Sequence, residues 1–334
     1  MKKIIIILFI FLLCGCSDYS ELNKLAIVSS LSIDKKNDNY LVNIEVLNTK
    51  KNGNKNLTYS GTGKTINLAI NNIQNMSPKK IFPGHLSKII VSEEIMDDNF
   101  INTLDMFFRI NNIKDEFNLF LCKNTKAYEV LKKLPLNDEL IENSYYETSS
   151  TSYTTLDSFY SKYLKKGIDP VISVVKLDND KVKIDNIAIT KNGTFDRYLD
   201  RDETIGYNFI TNNINNLVIP IKSSSIKIIK SKTNTKVKKE KDSYIININI
   251  NSNILINDNH SNINEKELIK LTKKEINKYI KKVTNINTKS KFLGFERMIY
   301  LDYPNEKNYN YKIKTNINFK TIRKGEINEF KNKE

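Results

Sequence analysis

The sequence lacks the features that would assign a chemistry. It has no tryptophan and only two histidines, His85 and His260, and neither has a neighbour at metal-ligand spacing. A Gly-x-Ser-x-Gly nucleophile motif is absent, and Gly-Thr-Gly-Lys-Thr at 61–65 lacks the four-residue spacer of a phosphate-binding loop. We therefore expect no catalytic residue, no metal and no cofactor, and the hypothesis of an envelope enzyme is disfavoured.

Long apolar runs and disulfide pairs are also missing. No stretch approaches the roughly 18 apolar residues of a membrane-spanning helix. Only three cysteines occur, and Cys122, in the apolar run 117–122, is predicted to be a buried free thiol. The net charge is +15, but the lysines are spread along the chain and RNA-binding motifs are absent. We expect no nucleic acid partner, and a weak attraction to anionic lipid head groups.

The first residues carry the pattern of a secretion signal. Lys2 and Lys3 precede an unbroken apolar run over 4–13, and Gly15 stands directly before Cys16. This arrangement resembles the bacterial lipobox, which predicts a signal peptide over 1–15, cleavage between Gly15 and Cys16, and a diacylglycerol on the Cys16 thiol. The alternative is a secretory signal that a cysteine follows by chance.

Apolar periodicity predicts an α+β fold, with two to three small domains whose mostly antiparallel sheets are flanked by helices. We place an N-terminal domain at 16–178, which could hold two subdomains, and a C-terminal domain at 179–334. The predicted elements are a hairpin of 26–34 with 40–47, a helix after Thr65, a helix capped by Asn124 or Thr125, an exposed Ser/Thr-rich loop at 147–155, strands at 226–238 and 244–256, a helix from Asn264, and a last strand at 311–319.

Several segments resemble, in order, the Ger(x)C lipoproteins, which are the C subunits of nutrient germinant receptors in spore-forming bacteria. Cys16-Ser17-Asp18-Tyr19-Ser20-Glu21-Leu22-Asn23 is similar to the family opening, with Ser17 in place of its usual tryptophan. Gly63-Lys64-Thr65, Gly84-His85-Leu86 and a segment ending at Arg109 resemble later family motifs. The candidate motif residues are Glu21, Asn23, Gly84, His85 and Arg109.

The resemblance implies a non-catalytic lipoprotein at the outer face of the spore inner membrane. It would be held by the diacylglycerol on Cys16 and would assemble with integral-membrane A and B subunits to trigger germination in response to nutrients. For His85, which follows Pro-Gly and precedes a predicted strand, we expect a structural role in which the ring bonds to local backbone. The alternative function is a solute-binding lipoprotein of a transporter, which two α/β lobes with a parallel sheet would indicate.

Overall fold

A computed structural model describes most of the chain between residues 22 and 323. The described ranges are 22–48, 56–96, 100–109, 116–133, 138–241, 243–259, 263–306 and 309–323. Cys16, Glu21 and His260 lie outside them. Within these ranges the chain forms two β-sheets flanked by helices, so the α+β prediction is confirmed.

The first sheet has nine strands, in the order β3-β2-β1-β5-β6-β7-β8-β9, with β4 beside β1. Its strands are β1 (Leu25–Lys36), β2 (Asn39–Val46), β3 (Leu57–Gly63), β4 (Lys80–Phe82), β5 (Lys88–Ser92), β6 (Asn118–Cys122), β7 (Val171–Asp178), β8 (Lys181–Lys191) and β9 (Thr194–Tyr198). The predicted hairpin is β1 and β2, and it is confirmed. The sheet continues past residue 178 through β8 and β9, and the division of the chain at 178 and 179 stays a prediction.

The centre of this sheet is parallel, because β1, β5, β6 and β7 run in one direction. Adjacent residues of these strands face two different cores. Ile89 and Val91 pack with residues of α1 (Ile66–Met76), α2 (Phe100–Arg109) and α5 (Leu156–Tyr163). Ile90 packs on the other face with residues of α3 (Ala127–Lys132) and α4 (Asp138–Glu142). Antiparallel pairs still outnumber parallel pairs across both sheets, by six to five.

The second sheet has four strands, in the order β10-β11-β12-β13. They are β10 (Asn215–Ile221), β11 (Ser224–Glu240), β12 (Ser243–Asn259) and β13 (Tyr311–Arg323), and the helices are α6 (Arg201–Ile210), α7 (Glu265–Thr284) and α8 (Phe295–Asp302). The apolar residues of all three helices join the inward residues of the strands in one core. As predicted, α7 begins after Asn264, whose side-chain oxygen accepts a bond from the Glu267 N–H at 2.9 Å.

A buried polar segment joins the two sheets, where the sequence predicted an exposed loop. Ser149, Thr151, Ser152 and Thr154 are all buried. The fully buried Asn208 amide on α6 donates to the backbone oxygens of Ser149 at 3.1 Å and Thr151 at 2.8 Å. Residues 148–154 form neither helix nor strand, as predicted, but the expected exposure was wrong for these four residues. Their polar groups find protein partners in place of water, which removes the cost of burying them.

Candidate functional site

Three of the five candidate motif residues flank the parallel pair of β1 and β4, with Asn23 before the start of the pair and Gly84 and His85 beyond its other end. Asn23 is exposed in a 3-10 turn, Leu22–Lys24, directly before β1. Leu25 pairs with Lys80 at the start of β4, and Gly84 and His85 form the turn that follows β4. Glu21 lies outside the described residues.

Arg109 is not part of this group. It ends α2, its side chain is exposed, and its guanidinium pairs with Asp105 one helical turn earlier at 2.6 Å. An exposed pair of this kind contributes only about 0.3–0.5 kcal/mol to helix stability.

The Gly84–His85 turn is held by backbone bonds. The Leu86 N–H donates to the Pro83 oxygen at 2.9 Å, and the Ser87 N–H donates to the Ser29 oxygen of β1 at 3.0 Å. The His85 side chain is exposed, and its ring meets the edge of Phe82 with the centroids 6.5 Å apart. Among the described residues the ring makes no hydrogen bond, so the expected backbone-bonding role is not found. The turn presents the imidazole to solvent.

An apolar cleft opens beside this turn. Its volume is about 390 Å³, within the roughly 300–1,000 Å³ of small-molecule sites. The lining residues are Val28, Leu31, Ile44, Asn67, Ile70, Asn71, Gln74, Ile81, Pro83, Leu86 and Phe107. We call it the α1 cleft. Three family-like segments meet at the walls of this cleft. The segment around Gly63-Lys64-Thr65 opens α1, the segment Gly84-His85-Leu86 follows β4, and the third ends α2 at Arg109.

Helix α1 forms one wall because two glycines let it lie directly on β3. A Cβ at Gly61 would come within 2.3 Å of the Ala69 backbone oxygen, and one at Gly63 within 2.6 Å of the Ala69 nitrogen. The hydroxyl oxygen of Thr65 accepts a bond from the Leu68 N–H at 3.2 Å and caps the helix. The glycine-rich segment therefore has a packing role, and a larger side chain would push α1 away from β3.

The polar groups of the α1 cleft are amides. The Gln74 amide is already hydrogen-bonded to the backbone, because its Oε1 accepts from the Ile81 N–H at 2.8 Å and its Nε2 donates to the Lys79 oxygen at 3.0 Å. Asn67 and Asn71 are exposed at the rim. None of the described lining residues is charged. Such a lining suits a small uncharged molecule or an apolar side chain, and it offers no acid or base.

A second polar group lies at the carboxyl ends of the parallel strands. Asp34 of β1 is 1% exposed, and its carboxylate accepts from the backbone N–H groups of Ala127 at 2.8 Å and Tyr128 at 2.9 Å. It therefore caps α3 from a distant strand. The predicted cap at Asn124 or Thr125 was wrong, because α3 begins at Ala127 and its local cap residue, Lys126, has no capping side-chain bond. Burial raises the pKa of the Asp34 carboxyl, against the lowering effect of the two backbone bonds.

Cys122 ends β6 and is a fully buried free thiol, as predicted. Burial, with the nearby Asp34 and Glu93 charges, raises its pKa to about 12. A thiol with so high a pKa is not a thiolate at neutral pH and is a poor nucleophile. In the ranges that the structure describes, no group of three or more His, Cys, Asp or Glu side chains could hold a metal ion. No helix in the described ranges has the length and apolar character needed to cross a bilayer.

Comparison with known proteins extends these observations. A model of the spore germination protein N-terminal domain matches residues 18–177. A model of the spore germination B3/GerAC-like C-terminal domain matches residues 185–330. The chain belongs to the germinant receptor C-subunit family. The resemblance to the Ger(x)C family is thereby confirmed, and the two models leave only short segments of the chain unmatched.

Similar proteins come from Bacillus subtilis (strain 168). Spore germination protein B3 is 24% identical over 259 residues, which cover 70% of this chain and 68% of its own length. Spore germination protein KC is 22% identical over 188 residues, covering 52% and 45%. The protein YfkR is 27% identical over 226 residues, covering 60% and 57%. The matched segments thus span about half to two thirds of these curated relatives.

The fold is also that of a solved structure. The crystal structure of the GerBC protein superimposes with a TM-score of 0.59 and covers 88% of this chain and 97% of its own, at 19% sequence identity. This likeness supports the arrangement of the two sheets. At such an identity it carries the fold alone.

Proposed function

We propose that this protein is the lipid-anchored, non-catalytic C subunit of a nutrient germinant receptor. In this proposal it assembles with integral-membrane A and B subunits at the outer face of the spore inner membrane. The observation that carries the proposal is the match of both family models, over 18–177 and 185–330, along a chain that opens with a lipobox-like Gly15-Cys16.

Anchoring through Cys16 fits the physical requirements for stable attachment. One acyl chain binds a bilayer only marginally, so durable anchoring needs two chains or one chain plus a basic surface. The diacylglycerol of a lipoprotein provides two chains. The net charge of +15 falls to +13 once Lys2 and Lys3 leave with the signal peptide, and it adds attraction to anionic lipids. The described residues that line the α1 cleft include no acid, base or nucleophile, and burial raises the pKa of the Cys122 thiol. Both observations support a role without catalysis.

The test of the receptor role is the germination of spores that lack this gene and its paralogues. We expect such spores to stay dormant toward at least one nutrient, and the wild-type gene restored at another locus to recover the response. Germination by a nutrient-independent trigger is the control, and it should be unchanged. A deletion strain that responds normally to every nutrient tested would exclude the receptor role.

A second candidate function is the binding of a small uncharged solute, which the α1 cleft favours. The parallel centre of the first sheet is one feature expected of a solute-binding lipoprotein. The cleft, however, lies within one unit, between α1 and β1, and not between two lobes. Ligand contact and receptor membership are compatible, since a receptor subunit could take its nutrient here.

Filling the cleft tests this second function. Ile70→Trp places a large ring into the cleft, whereas Leu68→Trp adds the same ring at an exposed position of the same helix. Calorimetry with pools of amino acids and sugars should detect binding of a ligand to the wild-type protein. Ile70→Trp should abolish this binding, and Leu68→Trp should leave it unchanged. If no pool gives heat with the wild-type protein, or if both variants bind equally, the cleft is not a solute site.

A further inference from the structure

The face of the second sheet that points away from the helices is built almost entirely of lysine and asparagine. The pairing register aligns these outward residues in rows across β11, β12 and β13. The rows are Lys230/Asn253/Lys320, Lys232/Asn251/Asn318, Asn234/Asn249/Asn316, Lys236/Asn247/Lys314 and Lys238/Ile245/Lys312. Ile245 is buried, and the other fourteen residues are partly or fully exposed. We call these fifteen positions the lysine face. The inward neighbours, such as Ile246, Ile248 and Ile250, are fully buried in the core below the helices.

The lysine face carries positive charge only. Seven of its positions are lysines, all of them exposed, and none is aspartate or glutamate. Within the described residues, Lys238 alone among the seven forms an ion pair, at 4.0 Å from Glu240 beyond the last row. The charges stand in two columns, on β11 and β13, with the shorter asparagines of β12 between them. The sheet therefore presents uncompensated ammonium groups to whatever covers it.

The geometry of the lysine face is broad and shallow. Neighbouring strands lie about 4.8 Å apart and alternate residues about 7 Å apart, so five rows on three strands cover roughly 10 by 27 Å. No helix of the described ranges lies over this side, since α6, α7 and α8 share the core on the other side. A surface of this extent matches an extended array of anionic groups better than a single small anion.

Two observations favour a lipid surface among anionic partners. None of the fifteen positions is aromatic, so the face offers no ring on which the bases of single-stranded nucleic acid could stack. At one end of the same side, beyond Lys320 and beside Lys227, apolar side chains are exposed: Ile322 is 52% exposed and Val218 is 44% exposed. Basic residues combined with exposed apolar ones are typical of surfaces that rest on anionic bilayers.

We propose that the lysine face rests on an anionic lipid bilayer and sets the orientation of the second sheet against the membrane. This inference rests on the proposed placement of the chain at a membrane. Its test does not involve the lipid on Cys16, so the anchor and the face can fail separately.

The test uses the chain from residue 16 onward, with Cys16→Ser and no attached lipid. One variant carries Lys232→Gln, Lys236→Gln, Lys312→Gln and Lys314→Gln. The matched control removes the same number of charges from the opposite side of the unit, on α7, with Lys266→Gln, Lys270→Gln, Lys274→Gln and Lys281→Gln. Circular dichroism confirms folding, and binding is measured by sedimentation with vesicles.

We expect the unmodified surface to bind vesicles of about 30% phosphatidylglycerol in phosphatidylcholine, and pure phosphatidylcholine far more weakly. Each lysine near an anionic membrane contributes roughly a fivefold change in binding, so the variant that lacks four of them should bind roughly 600-fold more weakly. The α7 variant should lose less than about threefold, and raising the salt from about 0.1 M to about 0.5 M should release the wild type. Equal losses in both variants, or no dependence on phosphatidylglycerol, would overturn the proposal. The proposal would also be overturned if the wild type bound duplex DNA as tightly as anionic vesicles and the lysine-face variant lost that binding too.

A second measurement remains decisive even if the variant with four Lys→Gln substitutions does not fold. In the same Cys16→Ser chain, an environment-sensitive fluorophore is attached through Asn316→Cys on the lysine face, or through Lys270→Cys on α7, while Cys122 is buried and protected from labelling. Anionic vesicles should shift the emission to the blue at position 316 and leave that at position 270 unchanged. The reverse pattern, or no change at either position, would contradict the orientation.

Discussion

The two sheets bury their residues in different ways. In the first sheet, every residue of β5 is buried, because helices cover both faces of the parallel centre. In the second sheet, β12 alternates buried isoleucines with asparagines that reach solvent, because α6, α7 and α8 cover one face only. The pattern of burial along a strand thus reports how many of its faces are covered.

This difference separates two possible uses of the molecule. The covered sheet offers ligands only the space between its elements, and the α1 cleft is such a space, apolar and uncharged. The second sheet, which helices cover on one face only, offers a wide surface whose character is set by its outward residues, and here these are lysines and asparagines.

Substituting adjacent strand residues distinguishes the two sheets directly. Ile89→Ala and Ile90→Ala should each cost about 2–5 kcal/mol of unfolding free energy, because both side chains are fully buried in opposite cores. In β12, Ile248→Ala should cost as much, whereas Asn249→Ala should cost less than about 0.5 kcal/mol. Denaturant unfolding measures all four. A small cost for Ile90→Ala would mean that α3 and α4 do not pack on the sheet.

Removing the buried cap should have an intermediate effect. Asp34→Ala leaves the N–H groups of Ala127 and Tyr128 without their acceptor, at a cost of about 1–3 kcal/mol. Asp38→Ala, in the exposed β1–β2 turn, is the control and should be within about 0.5 kcal/mol of wild type. A loss as small as that of the control would show that water or another group satisfies the start of α3.

The stability that Asp34→Ala removes should depend on pH. Burial raises the pKa of Asp34 above its ordinary value, so the folded state holds the proton more tightly than the unfolded state does. The contribution of this group to stability therefore increases as the pH falls through the raised pKa and levels off below about 4. The stability difference between wild type and Asp34→Ala, measured by unfolding from pH 7 downward, should widen. A narrowing difference would indicate that the two backbone bonds outweigh burial.

The smallest expected change is at His85. Because the imidazole is exposed and makes no hydrogen bond among the described residues, His85→Ala should alter the unfolding free energy by less than about 0.5 kcal/mol. Leu86→Ala, at the buried next position, should cost several times more. If His85→Ala spores germinate poorly while the protein keeps its stability, the imidazole contacts a partner or nutrient. A large loss of stability in His85→Ala would instead support the structural role that the sequence suggested for the His85 ring.

Much of the second sheet could be predicted from local pattern. The Ile/Asn alternation of β12 and the cap at Asn264 each depend on neighbours in sequence, and both were confirmed. Alternation also shows which residues point outward, but aligning Lys236 with Lys314 across Asn247 requires the register of three strands. The lysine face is therefore visible only in the assembled sheet.

The first sheet depends more on distant contacts. Its parallel centre pairs β1 with β5 and joins β6 to β7, and local periodicity does not give the pairing partner. Its continuous apolar runs were a signal of strands buried on both faces. The capping role of Asp34 could not be predicted, since its partners lie more than ninety residues later. The sequence indicated the α1 cleft only through the family-like motifs around it. These motifs come together only when β4 pairs with β1, and local pattern does not give that pairing.

The central claim, that a lipid on Cys16 holds this subunit on a membrane, is tested most directly by fractionating spores. Leu13→Ala and Gly15→Ala convert the leader to an ordinary Ala-x-Ala cleavage site, and Cys16→Ser removes the acceptor thiol. Membranes are washed at low salt and then at about 1 M salt, which screens the attraction of the lysines for lipid. We predict that the wild type stays bound through both washes and that the variant is released by high salt. A variant that remains bound at high salt would show that its partners, and not the lipid, hold it there.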